Sequence, residues 1–335
     1  MVIDPRDVNM GKVSVVIEWE NVLLSEMDRC RRMLRELRRQ ILELNSQVAA
    51  SADFEIIVVF NQEIVQPAVV TNELEEIFRA DDPNIAWLTV PATGLSYYDL
   101  KNFGARRTDA DIILFLDSDV IPEPGWLKNL LGSFDNPAVD VVGGNTFLDL
   151  SDFLGRAMAL FWFFPQRSTE SVLKEVSFFF ANNVAFRRST AERFPFPKLQ
   201  GGATRGSCVQ LARDIRREGI NIHHHLGAQV SHPPPNGWHH FFIRGVAEGR
   251  DQLLMRRSCR GPSWFGREGF SELGRFFSNT FRGFKSILSQ RKKANLSLGE
   301  TPVALGVVLI YSQCRLFGAW GTQIFPKFMG NHFRI

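Results

Sequence analysis

Cysteine is scarce in this chain of 335 residues, and its spacing excludes two common roles. The four residues are Cys30, Cys208, Cys259 and Cys314, and they form neither a CxxC pair nor a zinc-ligand spacing. Scattered cysteines of this kind are typical of a reducing compartment and predict no disulfide framework. Tyrosine is scarce as well, with 3 residues against 29 phenylalanines, so the aromatic content consists mainly of a side chain without polar atoms.

The first residues lack an apolar signal region, since MVIDPRDVNMGK is interrupted by charges throughout. We therefore expect the N-terminal part to stay on the cytoplasmic side. The net charge of +3 is small but unevenly distributed. Residues 251–335 carry 13 Lys and Arg against 4 Asp and Glu, whereas residues 1–250 carry 26 against 32. A basic, Phe-rich C-terminal region on an acidic body predicts a surface for anionic lipid or another polyanion.

The most informative stretch of the chain is DIILFLDSDVIP, from Asp111 to Pro122. Its apolar run, Ile112–Leu116, is too short for a helix and suits a buried parallel strand. The run stops at Asp117 and Asp119, and ligands of open α/β sheets bind just beyond such strand ends. Two carboxylates at this place repel each other unless a cation or a hydrogen-bond donor lies between them. Because hard divalent cations prefer oxygen ligands, the pattern favours a metal site over a solvated turn with an Asp helix cap.

Residues 101–126, KNFGARRTDADIILFLDSDVIPEPGW, resemble glycosyltransferase family 2, in which a Lys/Arg-Asn-x-Gly helix precedes a strand that ends in DxD. Residues 178–188, FFFANNVAFRR, resemble a second motif of that family, and the likeness extends over about residues 12–235. It implies a GT-A fold, a Rossmann-like mixed α/β sheet flanked by helices. It also implies a nucleoside-diphosphate sugar as donor and Mg2+ or Mn2+ as cofactor. We expect residues 1–235 to form this catalytic domain.

The resemblance further implies that the metal lies at Asp119 and His232, while Asp117 holds the ribose or a metal-bound water. Candidates for contacts to the nucleotide and sugar lie near strand ends and helix starts. They are Glu18, Glu20, Asn61, Asp99, Lys101, Asp117, Asn182, Asn183 and Arg205. Three alternatives stay open. Glu18 or Glu20 is an ordinary loop residue, Lys101 lies on a solvated helix face, and Asn182 or Asn183 serves a β-turn.

The catalytic base is the main departure from the family pattern. Where the family has a Glu-Asp pair before a helix, this chain has Ser207 and Cys208. A thiolate at Cys208 could act as the base if the helix N-terminus and Arg205 lowered its pKa. The other candidates are the carboxylates of Asp149 and Glu175, and a retaining reaction would need no base at that position. The stereochemical outcome is therefore open.

Glycines and histidines mark two further strands. Gly143 and Gly144 fall in a predicted strand over 139–147, and glycine there lets backbone come close to a ligand. Residues 223–225 are three consecutive histidines on another predicted strand. Because neighbouring side chains of a strand face opposite ways, we interpret them as structural or exposed rather than as a metal-binding run.

The C-terminal region, residues 236–335, is predicted to be helical and membrane-associated. Between Trp264 and Lys293, phenylalanines alternate with Arg and Lys, which is typical of an interfacial helix. The same pattern fits a nucleic-acid face, but no nucleic-acid fold accompanies it, so we expect no nucleic-acid partner. The apolar residues 302–320 are interrupted by Arg315, which is costly to bury in a bilayer. A monotopic or re-entrant hairpin is therefore favoured over a span.

Taken as a whole, the sequence predicts a metal-dependent glycosyltransferase at the cytoplasmic face of a membrane, peripheral or monotopic, with a lipid-linked or glycan acceptor. One alternative is a degenerate relative that binds a nucleotide sugar or glycan without turnover, which the missing Glu-Asp pair supports. A nucleotidyltransferase is the other, but the first strand, VSVVIEWEN, has no glycine loop after it. Residues 25–48 predict an amphipathic helix that packs on the sheet or, alternatively, forms a homodimer seam.

Overall fold

The computed structural model of the chain describes residues 11–47, 52–78, 82, 84–199, 203–260 and 265–333. The chain divides into two compact units. The first unit comprises Met1–Thr146, Arg167–Pro197 and Cys208–His232. The second unit comprises Phe147–Gln166, Lys198–Ser207 and Pro233–Ile335. The second unit thus takes up two short segments from within the first 235 residues, in addition to the C-terminal region.

Nine strands form one mixed sheet in the described residues, in the order β3-β2-β1-β4-β8-β6-β9-β5, with β7 paired to β9. The first four strands are parallel, whereas β8 runs antiparallel to β4. The strands are β1 Lys12–Glu18, β2 Asp53–Asn61, β3 Ile85–Ala92, β4 Ile112–Asp117, β5 Ile121–Pro122, β6 Val141–Leu148, β7 Leu173–Val176, β8 Asn183–Arg187 and β9 Ile222–His232.

Eleven α-helices accompany the sheet in the described part of the chain. They are α1 Met27–Gln47, α2 Pro67–Ile77, α3 Tyr97–Ala105, α4 Trp126–Gly132, α5 Phe153–Met158, α6 Arg188–Arg193, α7 Ser207–Arg217, α8 Gly237–Arg260, α9 Phe265–Gln290, α10 Thr301–Ile324 and α11 Pro326–His332. Short 3-10 turns lie at Glu20–Leu23, Ser133–Asp135 and Arg291–Ala294.

Strand β4 lies in the middle of the sheet, and all six of its residues are buried. A parallel strand covered on both faces needs this continuous apolar run, because neither face meets water. Helices α1, α2 and α4 contribute to the core on one side, and α3 and α7 to the core on the other. The register pairs Glu18 of β1 with Asp117 of β4, so two carboxylates end side by side at one edge.

Helix α1 buries its apolar stripe inside the first unit. The buried members are Cys30, Met33, Leu34, Leu37, Ile41 and Leu44, and they belong to the same core cluster as the strands. The packing that the amphipathic pattern predicted is therefore found. Because the sheet covers these side chains, this stripe does not form the homodimer seam considered as the alternative.

Helices α8 and α10 of the second unit approach each other closely at glycines. A methyl group added at Gly249 would collide with the carbonyl of Arg315, and one at Gly318 would collide with the carbonyl of Val246. Only glycine, which has no Cβ, lets two helix backbones come close enough for such collisions to arise. The two helices therefore form one tightly joined pair.

The hairpin predicted for residues 302–320 is wrong, because α10 continues without a break from Thr301 to Ile324. The polar side chain of Arg315 is bound by two side chains of α8. Its guanidinium lies 3.2 Å from Glu248 Oε1 and donates to Gln252 Oε1 at 2.7 Å. Helix α10 has the length and hydropathy of a membrane span, although 39% of its apolar window is buried inside the protein. A core helix of a soluble protein meets the same criteria.

Candidate active site

The carboxylate of Asp117 is the counter-ion of a buried lysine. Its Oδ1 accepts hydrogen bonds from Lys101 Nζ at 2.7 Å and from Tyr97 Oη at 2.7 Å. Its Oδ2 accepts from Asn21 Nδ2 at 3.0 Å. Lys101 is fully buried, with its ammonium 4.8 Å from the centre of the Tyr97 ring. A buried cation needs such a partner, because the desolvation of an unpaired charge is very unfavourable.

Lys101 therefore departs from the expectation that it contacts a diphosphate or lies on a solvated helix face. Its ammonium points into the protein and pairs with Asp117 at the end of β4. Within the family-like motif of residues 101–126, Lys101 of α3 and Asp117 of β4 thus form an internal ion pair. Lys101 and Tyr97 stand four residues apart on α3, so both reach the same carboxylate from one helix face.

Glu18 is also buried, directly beside Asp117. Its Oε2 accepts from the backbone N–H of Glu20 at 2.9 Å, and its Oε1 accepts from Asn21 Nδ2 at 2.8 Å. Burial raises the pKa of Glu18 well above its ordinary value, the Asp117 charge raises it further, and the Lys101 charge opposes the shift. The Asn21 amide bridges the two carboxylates. Glu18 therefore closes the turn after β1 from inside, while Glu20 lies half-buried in the following 3-10 turn.

Asp119 differs from its neighbours because one of its oxygens is not used. Its Oδ1 is buried and has no hydrogen-bond partner among the described residues. Burial raises the pKa of Asp119, while the charge of His232 lowers it. His232 ends β9, which pairs with β5 immediately after the DxD, Ile121 lying opposite Ser231. The strand pairing thus brings the two predicted metal ligands together.

This donor set fits a hard divalent cation. A buried carboxylate oxygen without a donor, next to an imidazole, supplies one oxygen and one nitrogen ligand. Among the described residues, no group of three or more His, Cys, Asp and Glu side chains is placed to hold a metal. Asp119 and His232 would therefore hold the ion with water or substrate phosphates as its other ligands, as is usual for Mg2+.

The predicted pair Asn182 and Asn183 divides into two roles. The Asn183 amide is fully buried, where it accepts from Trp126 Nε1 at 2.8 Å and donates to the Ala228 carbonyl at 3.2 Å. Both ends of this amide are therefore used inside the protein, which does not support a sugar contact. The Asn182 Oδ1 accepts from Thr146 Oγ1 at 3.0 Å. Its Nδ2 group remains the candidate for a ligand.

Gly144 explains how Asn183 reaches its partners. A methyl group added at Gly144 would collide with the Ala228 carbonyl and with the Asn183 amide. The close approach expected of this glycine is therefore an approach to the protein's own strands rather than to a ligand.

We expect Gly144→Ala to destabilise the fold by about 3 kcal/mol, the upper end of what overpacking a core costs. The matched control is Gly132→Ala at the end of α4, where an added methyl meets nothing within 4 Å. That control should leave stability unchanged or raise it by about 0.4–1 kcal/mol. Urea unfolding of the three proteins measures both effects. Equal stability of the two variants would contradict the steric explanation.

The remaining nucleotide candidates differ in burial, since Asn61 is buried whereas Asp99 and Arg205 are half-buried. Asn61 is the last residue of β2, and its Oδ1 accepts from the backbone N–H of Glu63 at 3.1 Å. Asp99 accepts from Ser96 Oγ at 2.8 Å in the first turn of α3. The first contact holds the turn after β2, and the second joins two side chains at the start of α3.

Cys208, the second residue of α7, does not have the lowered pKa that a thiolate base requires. Burial raises the pKa of its thiol, which also accepts a hydrogen bond from Tyr98 Oη at 3.7 Å. The expected lowering of this pKa is not found, because burial is its largest influence and raises it, while hydrogen bonds from Tyr98 and nearby backbone act in the opposite sense. The two candidate carboxylates differ in setting: Asp149 Oδ1 accepts from the Ser151 backbone in the second unit, and Glu175 is exposed on β7.

Several residues of this site were not singled out in the sequence. Asn21 and Tyr97 hold Asp117, and Trp126 holds Asn183. The i to i+4 spacing of Tyr97 and Lys101 is a signal that could have identified the tyrosine. Asn21 and Trp126 act across the fold, and nothing in their local sequence marks their partners.

Residues 28–194 match the family model "Glycosyl transferase family 2". The chain belongs to this family. A mannosyltransferase from Pyrobaculum calidifontis, solved in complex with GDP-Man and Mn2+, superposes with a TM-score of 0.55 at 15% identity. The match covers 94% of this chain and 87% of that one, and it confirms the predicted GT-A-like mixed sheet flanked by helices.

A local likeness to curated proteins adds to this assignment. The chain is 48% identical over 42 residues to the pre-mycofactocin glycosyltransferase of two Mycobacterium tuberculosis strains, CDC 1551 / Oshkosh and ATCC 25618 / H37Rv. The match spans 12% of this chain and 9% of those relatives' length. It therefore supports the family assignment.

Proposed function

We propose that this protein transfers a sugar from a nucleoside-diphosphate sugar to an acceptor, with a divalent cation bound between Asp119 and His232. The observation that carries the proposal is the buried, partnerless Oδ1 of Asp119 beside His232 at the strand ends. In open α/β sheets this edge is where ligands bind. Family membership over residues 28–194 supports sugar transfer as the reaction at this edge.

Each residue of the edge has its own task in this proposal. A bound Mg2+ or Mn2+ would neutralise the charge that develops on the departing diphosphate. Asp119 and His232 would hold that ion. Asp117 holds the end of β4 in place through Lys101, Tyr97 and Asn21 and is not itself a ligand. The metal-ligating role is thereby assigned to the second carboxylate of the DxD alone.

A second candidate, a relative that binds a nucleotide sugar or glycan without turnover, is favoured by one observation. The position at which the resembled family carries its base holds Cys208, whose pKa is raised by burial. Such a thiol stays protonated and cannot take a proton from a sugar hydroxyl at neutral pH. With a protonated thiol at this position, the base is a carboxylate elsewhere, the reaction is retaining, or the protein does not turn over its ligand.

Incubation with a panel of UDP-, GDP- and dTDP-sugars tests the proposal. Release of nucleoside diphosphate that depends on Mn2+ or Mg2+ and stops with EDTA is expected for at least one donor. Tight, metal-dependent binding without any release, across a panel that includes lipid-linked and glycan acceptors, would support the binding protein instead. Neither binding nor release of any donor would reject both functions.

Cys208→Ser is expected to keep the wild-type rate of sugar transfer within about twofold, because a buried protonated thiol is no general base. The change conserves size, and it retains a group able to accept from Tyr98 Oη. Single-turnover rates of both proteins, measured with the donor that the panel identifies, give the comparison. A loss of about 100-fold or more is what removal of a true general base causes, and it would reinstate the thiolate.

We further propose that the C-terminal region, residues 236–335, attaches the catalytic domain, residues 1–235, to the cytoplasmic face of a membrane. Helix α9 carries an exposed apolar stripe at spacings of seven, four and seven residues. Its members and exposed fractions are Phe270 79%, Phe277 61%, Phe281 70% and Leu288 60%. Uncovered aromatics in one helical stripe mark an interaction surface.

The charge near this stripe supports an anionic membrane as its partner. Lys285 lies one turn after Phe281 on the same face of α9, Arg282 is exposed on an adjacent face, and a basic 3-10 turn with Arg291–Lys293 follows the helix. Aromatic side chains combined with Lys and Arg suit the interface of an anionic bilayer, where the rings enter and the cations meet lipid phosphates. The acceptor would then be lipid-linked or a glycan held at that surface.

The double variant Phe277→Ser/Phe281→Ser should weaken binding to phosphatidylserine-containing vesicles by about tenfold or more, because two large apolar groups no longer leave water. Co-sedimentation of the full chain at low salt measures the effect. Phe178→Ser is the matched control, since Phe178 is 45% exposed but lies in the first unit. Wild-type protein that does not bind anionic vesicles at low salt would contradict membrane attachment.

A further inference from the structure

One arginine of α1 joins the two backbone segments that carry the proposed metal ligands. The Arg29 Nε donates to the backbone carbonyl of Asp119 at 2.6 Å. Its Nη2 donates to the backbone carbonyl of Ser231 at 2.8 Å and to the Ser231 hydroxyl at 3.2 Å. Ser231 immediately precedes His232. A single planar guanidinium therefore bridges the residue that is one ligand and the residue adjacent to the other.

The strand pairing at this place is short. Strand β5 contributes only Ile121 and Pro122 to the ladder, opposite Ser231 and Val230. Proline has no N–H to donate, so this two-residue ladder is weak in hydrogen bonds. Arg29 adds three charge-assisted bonds across the same gap, one to Asp119 and two to Ser231, and such bonds are stronger than neutral ones.

The same helix also holds the segment that follows β5. Gln40 Nε2 donates to the Glu123 carbonyl at 2.9 Å, and Gln40 Oε1 accepts from the Leu127 N–H at 3.0 Å. Helix α1 thus contacts the main chain on both sides of β5 through two side chains. Arg29 is the one whose contacts reach both ligand-bearing segments.

We propose that Arg29 is a positioning residue that fixes the spacing of Asp119 and His232 for a divalent cation, an inference that rests on the proposed function. Its charge alone would act in the opposite sense, because a guanidinium next to Asp119 repels a second cation. Its contribution is therefore geometric: the rigid two-pronged group holds two carbonyls at one distance. Loss of groups that orient metal ligands typically weakens metal binding by about 10–100-fold.

Three variants separate geometry from charge. Arg29→Gln removes both the bridge and the charge, and Arg29→Lys keeps the charge but cannot bridge two carbonyls with a planar fork. Arg35→Gln is the matched control, because Arg35 lies on the same helix in an exposed pair with Glu76. The measured quantity is the affinity for Mn2+ alone, from the electron paramagnetic resonance signal of free Mn2+, on the full chain.

We expect Arg29→Gln and Arg29→Lys each to weaken Mn2+ binding by about tenfold or more, with Arg35→Gln unchanged. If Arg29 acted only through its charge, Arg29→Gln would bind Mn2+ more tightly and Arg29→Lys would match the wild type. Either of those results overturns the proposal. Wild-type protein that binds no Mn2+ overturns the metal site itself, and the positioning role with it.

Hydrogen exchange of the metal-free proteins supplies a readout that is independent of metal and of activity. Peptides that contain residues 118–123 and 229–233 should exchange faster in both Arg29 variants than in Arg35→Gln. Peptides from β2 should exchange at the same rate in all four proteins, which shows that the fold persists. Unchanged exchange in the two edge peptides overturns the proposal, even if Mn2+ affinity falls.

Discussion

Asp119→Ala is expected to abolish the metal-dependent part of UDP and GDP binding, a loss of about 100-fold or more, while the fold stays intact. The Oδ1 atom that would be lost has no hydrogen-bond partner among the described residues, so no internal bond to it is broken. The variant also removes a carboxylate whose pKa is raised by burial, and thus a charge that folding leaves poorly solvated. Its stability should therefore equal or exceed that of the wild type.

Titration calorimetry with and without Mn2+ measures the affinities, and thermal unfolding measures the stability. The control is Asp135→Ala, since Asp135 is exposed in a 3-10 turn of the same unit. Nucleotide affinity that responds to Mn2+ equally in wild type and Asp119→Ala would place the metal elsewhere.

Asp117→Ala should behave in the opposite way, with a large loss of stability of about 3–5 kcal/mol. The change leaves the Lys101 ammonium buried without its counter-ion and removes the acceptor of the Tyr97 hydroxyl and the Asn21 amide. The loss of stability comes from the unpaired, buried Lys101 ammonium rather than from the lost hydrogen bonds. Denaturant unfolding of wild type and variant gives the difference.

The double variant Lys101→Met/Asp117→Ala identifies the cause. Because it removes the cation together with its partner, it should recover part of the stability that Asp117→Ala loses. A double variant that is less stable than Asp117→Ala alone would show that the ion pair is not the source of the loss. Together with Asp119→Ala, the pair of results would divide the DxD into one structural and one ligand carboxylate.

The sequence was sufficient for features that depend on local pattern. The apolar run before Asp117 predicted β4, and its abrupt end predicted the polar edge where Asp119 and His232 meet. The stripe of α1 predicted a helix that packs on the sheet. These signals are strong because burial on both faces of a strand, or one face of a helix, constrains every residue of the element.

Features that depend on long-range partners could not be obtained in this way. The motif lysine, Lys101, has the same local sequence whether it faces solvent or Asp117, and only the packing of α3 on the sheet decides. Gly144 is required by the Ala228 carbonyl, which comes from a different strand. Arg315 interrupts an apolar stretch in the sequence, yet its pairing with Glu248 lets the helix continue. In each case the deciding atom lies far away along the chain.

The second unit is assembled from segments that are far apart in the sequence, and this has a consequence for synthesis of the chain on the ribosome. The aromatic segment 153–164 belongs to this unit, where Trp162 Nε1 donates to Glu248 at 3.0 Å and Phe161 lies against Tyr311 of α10. At roughly 5–20 residues per second, its partners on α10 emerge about 8–30 s after the segment itself. During that interval the nascent chain displays uncovered tryptophan and phenylalanine, a target for holdase chaperones or for the bilayer. Chains terminated before residue 301 would display it permanently, and we expect them to aggregate or be degraded.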